Sequence, residues 1–170
     1  MKNRDDSLVR RIVRYCEEVD AAVELFGNSQ DLFMENRVYR NAACMPIMQI
    51  GELCKLISEE MREEYNGVDW RGWCGVRDIL AHQYTKLDCG KAWHIIDKDL
   101  PKLKGQLNDI LLQIDKDGIG RIEVIIKAND ISGVNANEVY HKIVDDTGIS
   151  LNAFSDKKII EYINEVWKSS

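Results

Sequence analysis

Apolar side chains recur at steps of three and four residues through most of residues 5 to 115. The first such run starts after Ser7 and stops before Gly27, and the second extends from about Arg37 to Glu64. This spacing is typical of amphipathic helices, and serine and glycine are common at helix starts and ends. The pattern therefore predicts two long helices in the N-terminal part of the chain.

The second predicted helix contains two residues that are unusual in a helix interior, Pro46 and Gly51. A proline removes a backbone donor and crowds the preceding turn, so we expect a kink or break near residues 44 to 45. Glycine is costly in a helix unless another helix packs closely against it. Gly51 is therefore a candidate for a close helix–helix contact.

A third helical pattern runs from Asp69 to Tyr84, with Asp69 as a plausible N-cap. At about 100° per residue, Arg77 and Tyr84 lie on one face of this helix. Asp78 precedes His82 by four residues, so its carboxylate can hydrogen-bond the imidazole. The face that carries Arg77 is otherwise apolar, with Trp70, Trp73, Leu80 and Ala81. Because a guanidinium is costly to bury alone, this face requires an anion, a polar cleft or a second copy of itself.

The residues alone leave two roles open for each polar group of this region. Glu52 either faces a cleft and holds Arg77 as an ion pair, or it faces solvent. His82 is either a catalytic base or a hydrogen-bonded structural histidine. Tyr84 either contacts a ligand or is an ordinary aromatic residue at a helix end.

The helical pattern continues after this region. Residues 92 to 98 and a run beginning at Asp99-Leu100-Pro101 extend it to about residue 115, with the proline suited to a first helical turn. Four or five helices joined by short links predict an up-and-down bundle. We therefore expect an all-α helical bundle over residues 1 to 116.

The C-terminal part has a different pattern. Residues 115 to 120 have the composition of a linker, and residues 121 to 127 are β-rich and partly alternating, which favours a strand. Residues 137 to 146 and a segment capped by Ser155 predict two further helices. We therefore expect a small α+β or helical module of unknown role over residues 117 to 170.

Composition narrows the class of protein. A chain of 170 residues with 45% hydrophobic and 31% charged residues suits a globular protein whose apolar runs are too short to cross a bilayer. With no secretory signal and five scattered cysteines, we expect a cytoplasmic protein with reduced thiols and no metal or other cofactor. A net charge of −6 argues against general binding to nucleic acid, unless a local cationic cleft forms. An acidic exterior would also favour a cationic protein partner.

Arg77, His82 and Tyr84 form an Arg–four residues–His–one residue–Tyr motif. This motif resembles that of HEPN ribonucleases in the HepT-like toxin branch. Three further segments share the resemblance: Ile50 to Leu53, Asp69-Trp70, and Trp93 to Leu103. The resemblance spans roughly residues 5 to 115, whereas residues 118 to 170 have no counterpart in the short members of the family.

The resemblance implies a metal-independent endoribonuclease with Arg77 and His82 as its catalytic pair. Such a reaction needs a base for the 2′-hydroxyl proton and a cation for the charge that grows on the phosphate. Imidazole has the required pKa, and the guanidinium fork fits phosphate oxygens. Asp78, where the family more often has asparagine, would set the tautomer of His82. Tyr84 would hydrogen-bond the phosphate or stack on a base.

The spacing of the catalytic pair presents a geometric difficulty. Arg77 and His82 are five residues apart, about 140° around an ideal helix, so their side chains diverge. Either the helix end loosens near Ala81, or a two-fold dimer completes the site. The resemblance implies the second arrangement, a homodimer whose motifs line a shared cleft.

The resemblance also implies a partner protein. HepT-like toxins are neutralised by a minimal nucleotidyltransferase antitoxin that adds AMP to the motif tyrosine, here Tyr84, which places bulk and negative charge in the RNA cleft. A second hypothesis is a non-catalytic helical dimer that is a substrate or regulatory partner of such a nucleotidyltransferase. The acidic charge and the additional C-terminal module favour this alternative.

Overall fold

The described part of the chain consists of helices joined by turns and short loops, without a strand. The computed structural model describes residues 2–82, 88–148 and 150–167. The first helices are α1 (Lys2–Phe26), α2 (Gln30–Glu35), α3 (Arg37–Leu56), α4 (Glu59–Glu64) and α5 (Trp70–His82). They are followed by α6 (Cys89–His94), a π-helical turn (Ile95–Asp99), α7 (Leu100–Ala128), α8 (Ala136–Thr147), a 3₁₀ turn (Leu151–Ala153) and α9 (Asp156–Trp167). These elements confirm the predicted all-α class.

Short polar side chains define where several of the helices begin. Their oxygens accept hydrogen bonds from backbone N–H groups in the first turn, which have no partner within the helix. The capping residues are Ser29, Asn36, Ser58, Asp69, Asp88 and Asn135. Gly148 ends α8 at a φ of 63°, a left-handed conformation that glycine adopts without steric cost.

The chain forms two compact units, Leu8–Asp109 and the combination of Met1–Ser7 with Ile110–Ser170. The division into domains 1–116 and 117–170 stays a prediction.

The unit Leu8–Asp109 has a core that combines aliphatic and aromatic packing. Phe33, Tyr39 and Trp93 contact one another, with ring centroids 5.3 to 6.4 Å apart. The Tyr39 hydroxyl donates a hydrogen bond to the carbonyl oxygen of Gly27 at 3.1 Å, so this buried polar group is satisfied. Fully buried aliphatic residues complete the core, among them Val9, Ile12, Val19, Ile50, Leu100, Leu103 and Leu107.

Of the kink or break predicted near residues 44 to 45, the structure excludes the break. Helix α3 continues through Pro46 without a break. Ala43 and Ile47, on either side of the proline, are buried in the core. Packing on both sides holds the helix together despite the missing backbone donor, as tertiary contacts often override local preference.

The second unit is also helical, which corrects the prediction for residues 115 to 127. Both the expected linker and the expected strand lie within α7. Ile122 and Ile125 are buried three residues apart, a spacing that fits a helix and not a strand, whose period is two. The C-terminal module is therefore helical in its described part, without the β component.

The residues that resembled a linker make tertiary contacts. A Cβ atom at Gly118 would lie 2.2 Å from Cε2 of Tyr140, so the absence of a side chain lets this ring pack against α7. The Tyr140 hydroxyl donates to the Asp115 carboxylate at 2.7 Å. Arg121 donates to Asp156 at 3.0 Å and to the carbonyl oxygen of Phe154 at 2.8 Å.

The core of this unit combines α7, α8 and α9. It consists of Ile122, Ile125, Ile131, Val139, Tyr140, Ile143, Leu151, Ile159 and Ile163. Within the described segments of the whole chain, the helices are too short or too polar to cross a membrane.

Candidate functional site

Helices α3 and α5 approach each other closely at Gly51. A Cβ atom at this position would lie 2.9 Å from Cβ of Arg77 and 3.0 Å from the carbonyl oxygen of Trp73. Contacts this short do not occur for a real side chain, so only glycine permits this helix packing. The close contact predicted from Gly51 is confirmed, and it places Arg77 directly beside α3.

The start and the apolar face of α5 hold this helix in place. Asp69 Oδ1 accepts a hydrogen bond from the backbone N–H of Gly72 at 2.9 Å, which confirms the predicted N-cap. Trp70 and Trp73 are buried, and the indole of Trp70 donates to the carbonyl oxygen of Tyr65 at 3.1 Å. Leu80 is also buried. The described residues of the apolar face predicted around Arg77 therefore pack into the core.

Arg77 is held by Glu52. The Arg77 Nε lies 2.9 Å from Glu52 Oε1, and Lys55 Nζ lies 3.0 Å from the same oxygen. The side chains of Arg77 and Glu52 are 39% and 47% exposed, so the ion pair lies at the surface rather than in the core. Pairing through Nε orients the guanidinium plane while the group stays in contact with solvent.

Of the predicted site residues, the structure brings together Glu52 and Arg77. The side chains of Asp78 and His82, and the whole of Tyr84, lie outside the described residues, and their roles stay predictions. The backbone of His82 is described and belongs to α5. The choice between a loosened helix end near Ala81 and a site shared between two chains therefore stays a prediction.

Sequence reasoning missed Lys55. Its spacing of three residues from Glu52 is a recognisable signal, because side chains three apart in a helix are neighbours. The ammonium adds a second positive charge beside Arg77, and the two cations share one carboxylate. The local charge of this group is therefore positive in a chain that is acidic overall.

The three buried thiols of the chain are poorly suited to nucleophilic catalysis. All five cysteines are free, and burial raises the pKa of Cys16 and Cys44 to about 12. Burial also raises the pKa of Cys54 strongly. A protonated thiol is a weak nucleophile and a weak metal ligand. No group of three or more His, Cys, Asp or Glu side chains suited to a metal ion occurs among the described residues.

Comparison with known proteins gives the family. Residues 12–110, more than half of the chain, match the family described as "Ribonuclease HepT-like". The chain is 35% identical over 107 residues to a protein of Methanocaldococcus jannaschii named "Gamma-glutamylcyclotransferase and putative RNase", a match covering 60% of this chain and 48% of that protein. It thus spans about half the length of that relative.

Two shorter relatives are matched over most of their length. A "Putative RNase" of Caldanaerobacter subterraneus is 31% identical over 103 residues, covering 61% of this chain and 90% of the relative. A "Probable ribonuclease HepT" of Thermococcus cleftensis is 26% identical over 101 residues, a match covering 56% of this chain and 92% of that relative. No solved structure gives a significant match. The matched region contains α3, α5 and the Glu52–Arg77 pair, and the chain belongs to the HepT-like ribonuclease family.

Proposed function

We propose that this chain is a metal-independent endoribonuclease that acts as the toxin of a toxin–antitoxin pair. The observation that carries this proposal is the Arg77 guanidinium, which Glu52 orients at the surface of the family's matched region. A cation fixed before substrate binds stabilises developing charge without reorganising during the reaction.

In the proposed reaction, His82 removes the proton from a 2′-hydroxyl of the RNA. The 2′-oxygen attacks the adjacent phosphorus, the bond from phosphorus to the 5′-oxygen breaks, and the protonated imidazole returns a proton to the leaving oxygen. The products are a 2′,3′-cyclic phosphate and a 5′-hydroxyl. Arg77 stabilises the negative charge on the phosphate oxygens, and Asp78 holds the His82 tautomer that accepts the proton.

The active unit in this proposal is a homodimer. On an ideal helix Arg77 and His82 diverge by about 140°, so the proposal places the two groups of one site on two chains. A second chain would supply the missing group. Helix α3 carries an exposed apolar stripe on the same face as Glu52, formed by Val38, Met45 and Leu56, which suits contact with a second copy.

Control of this activity would act on Tyr84. Transfer of AMP from a minimal nucleotidyltransferase to its hydroxyl would add a phosphate and a base to the proposed RNA-binding site. The added group would exclude RNA by size and by charge repulsion. Co-expression of the chain with the partner nucleotidyltransferase, followed by intact-mass measurement, tests this step, and a Tyr84→Phe variant that still gains AMP would contradict it.

The catalytic proposal is tested with purified protein and a single-stranded RNA in the presence of EDTA. We expect cleavage by the wild-type chain and a loss of about 10²- to 10⁴-fold in His82→Ala, the usual contribution of a general base. His141→Ala, at an exposed position of α8, is the matched control. Undiminished cleavage in a folded His82→Ala variant would contradict the assignment. A wild-type chain that leaves RNA intact would favour the non-catalytic partner of a nucleotidyltransferase.

A further inference from the structure

A concave feature lies beside α5, close to Arg77. It is a pocket of about 220 Å³ between the start of α5 and the start of α7, and its lining includes Asp69, Trp73, Val76, Asp99, Lys102 and Leu103. At about 30 Å³ per water molecule, this volume holds roughly seven waters. It is below the range of about 300 to 1,000 Å³ typical of drug-sized ligands, so it suits a single ring system.

The lining of the pocket combines an apolar base with a polar rim. Trp73 and Leu103 are buried and form the apolar part together with Val76, which is half-buried. The rim carries the carboxylates of Asp69 and Asp99 and the ammonium of Lys102. A matching ligand is flat and apolar on its faces, and its edge offers hydrogen-bond donors to a carboxylate and an acceptor to an ammonium.

The charges of the rim also determine what the pocket rejects. Two carboxylates against one ammonium give it a net negative charge, so it repels a phosphate group. An RNA strand would therefore place a base in this pocket and its phosphates elsewhere. Proteins that read single-stranded RNA commonly hydrogen-bond the Watson–Crick edges of unstacked bases in this way.

The position of the pocket links it to the proposed catalytic arginine. Trp73 lines the pocket and precedes Arg77 by four residues, about 6 Å along the helix axis. Val76, also in the lining, directly precedes Arg77. A base in the pocket and a phosphate at Arg77 therefore fit neighbouring positions of one RNA strand.

We propose that this pocket binds a base next to the scissile phosphate and selects guanine; the proposal rests on the ribonuclease function proposed above. Guanine presents adjacent N1–H and N2–H donors, which match the two oxygens of the Asp99 carboxylate, and its O6 accepts from Lys102. Adenine and cytosine place a ring nitrogen acceptor beside their amino group. That acceptor would face the carboxylate, and both groups would lose hydrogen bonds.

The cleavage test compares wild-type protein with Asp99→Asn and Lys102→Ala on a random-sequence RNA, with the cleaved ends identified by sequencing. The matched controls are Asp97→Asn and Lys98→Ala, which change the same charges in the same segment but belong to an ion pair of 3.0 Å outside the pocket lining. We expect the wild type and both controls to prefer guanine beside the cut. We expect the preference to fall about tenfold or more in the pocket variants, since the mismatched groups lose paired hydrogen bonds.

A binding test on the full chain measures the selection of guanine by the pocket independently of cleavage. Guanosine and adenosine are titrated against the protein while the indole N–H resonance of Trp73 is followed by NMR. We expect guanosine to shift this resonance at concentrations at least tenfold lower than adenosine, and Asp99→Asn to remove the difference.

The outcomes separate the two proposals. If the wild type cleaves RNA but the pocket variants keep the wild-type base preference, the pocket proposal is overturned and the ribonuclease proposal stands. If the chain leaves RNA intact, selective guanosine binding that depends on Asp99 supports the pocket by itself. Equal responses to guanosine and adenosine overturn it.

Discussion

A Cβ atom at Gly51 would lie 2.9 Å from Cβ of Arg77, which is closer than two carbon side-chain atoms pack. The next residue along α3, Glu52, holds the Nε of Arg77 at 2.9 Å. The backbone contact and the ion pair therefore act together. The missing side chain at position 51 brings α5 near enough for the carboxylate at position 52 to reach the guanidinium.

Enlarging Gly51 tests this relationship. We expect Gly51→Ala to lower the free energy of unfolding by about 1 to 3 kcal/mol, because the added methyl group meets backbone atoms of α5 and forces the helices apart. RNA cleavage should fall as well, since Arg77 moves with α5. Denaturant titration and a cleavage assay measure the two effects.

Gly105→Ala is the control for that substitution. Gly105 lies in α7 with open space around its Cα, so alanine should stabilise the chain by up to about 1 kcal/mol through helix propensity. If Gly51→Ala gave the same gain as Gly105→Ala, the close packing of α3 on α5 would be refuted.

The Glu52→Gln substitution tests whether Glu52 orients Arg77 for catalysis or only stabilises the fold. The pair is more than one-third exposed on both sides, so its loss should change the free energy of unfolding by about 0 to 1 kcal/mol. We expect kcat to fall about tenfold, which corresponds to an activation barrier higher by ~1.4 kcal/mol. KM should change little, because an oriented guanidinium acts mainly on the transition state. Steady-state kinetics measure this, with the exposed Glu24→Gln on α1 as the control. A rise in KM at constant kcat would show that Glu52 has no such positioning role.

A mixing experiment tests the shared site. Arg77→Ala and His82→Ala should each be nearly inactive alone. If each site combines Arg77 of one chain with His82 of the other, an equimolar re-associated mixture should recover about one quarter of the wild-type rate, because half the dimers are mixed and each holds one intact site. Cleavage rates before and after mixing measure this recovery. A mixture as inactive as its components would place both groups of a site on one chain.

Gly118 and Gly120 form a matched pair for the helical C-terminal module. We expect Gly118→Ala to lower the free energy of unfolding by about 1 to 3 kcal/mol, because its methyl group would overlap the Tyr140 ring, which is buried and bonded to Asp115. Gly120→Ala meets no atom within 4 Å and should stabilise the helix slightly. Thermal unfolding of both variants measures the difference. Equal effects of the two substitutions on unfolding would contradict the packing of Gly118 against Tyr140 and indicate a flexible linker.

The contact between Tyr162 and Asp146 predicts a pH dependence. Burial, with the hydrogen bond of 2.5 Å to the Asp146 carboxylate, raises the pKa of Tyr162 from 10.0 to about 12. A raised pKa in the folded state means that the stabilisation is complete below pH 10 and is lost as pH rises towards 12. Tyr162→Phe should therefore lose less stability than the wild type between about pH 8 and about pH 11.

Denaturant midpoints of the wild type and of Tyr162→Phe, taken at about pH 8 and about pH 11, measure this difference in the loss of stability. Tyrosinate absorbance follows the ionisation itself. A Tyr162 that ionises at its ordinary pKa would contradict the prediction. The same hydrogen bond lowers the pKa of Asp146, so the part of the stability that depends on this carboxylate should persist into mild acid and be lost as pH falls through its lowered pKa.

The sequence by itself determined most helix positions and the family motif. Side-chain caps such as Asp69 and the left-handed stop at Gly148 act on neighbouring backbone atoms, and apolar periodicity reflects the geometry of a single helix. The pairing of Glu52 with Arg77 was also foreseeable, because a guanidinium on an apolar face requires an anion and α3 offers one.

Only the tertiary structure decided the conformation of residues 115 to 127. Gly118 and Asp115 have the local chemistry of a linker, but the atoms that explain them belong to Tyr140, on another helix. The same holds for Pro46, which packing retains within α3, and for the pocket that joins the starts of α5 and α7. Local preferences amount to about 1 kcal/mol or less for most residues and about 3 kcal/mol for a proline within a helix, whereas each large side chain that is buried contributes about 1.5 to 3 kcal/mol. Long-range packing therefore prevails where several buried side chains oppose one local preference.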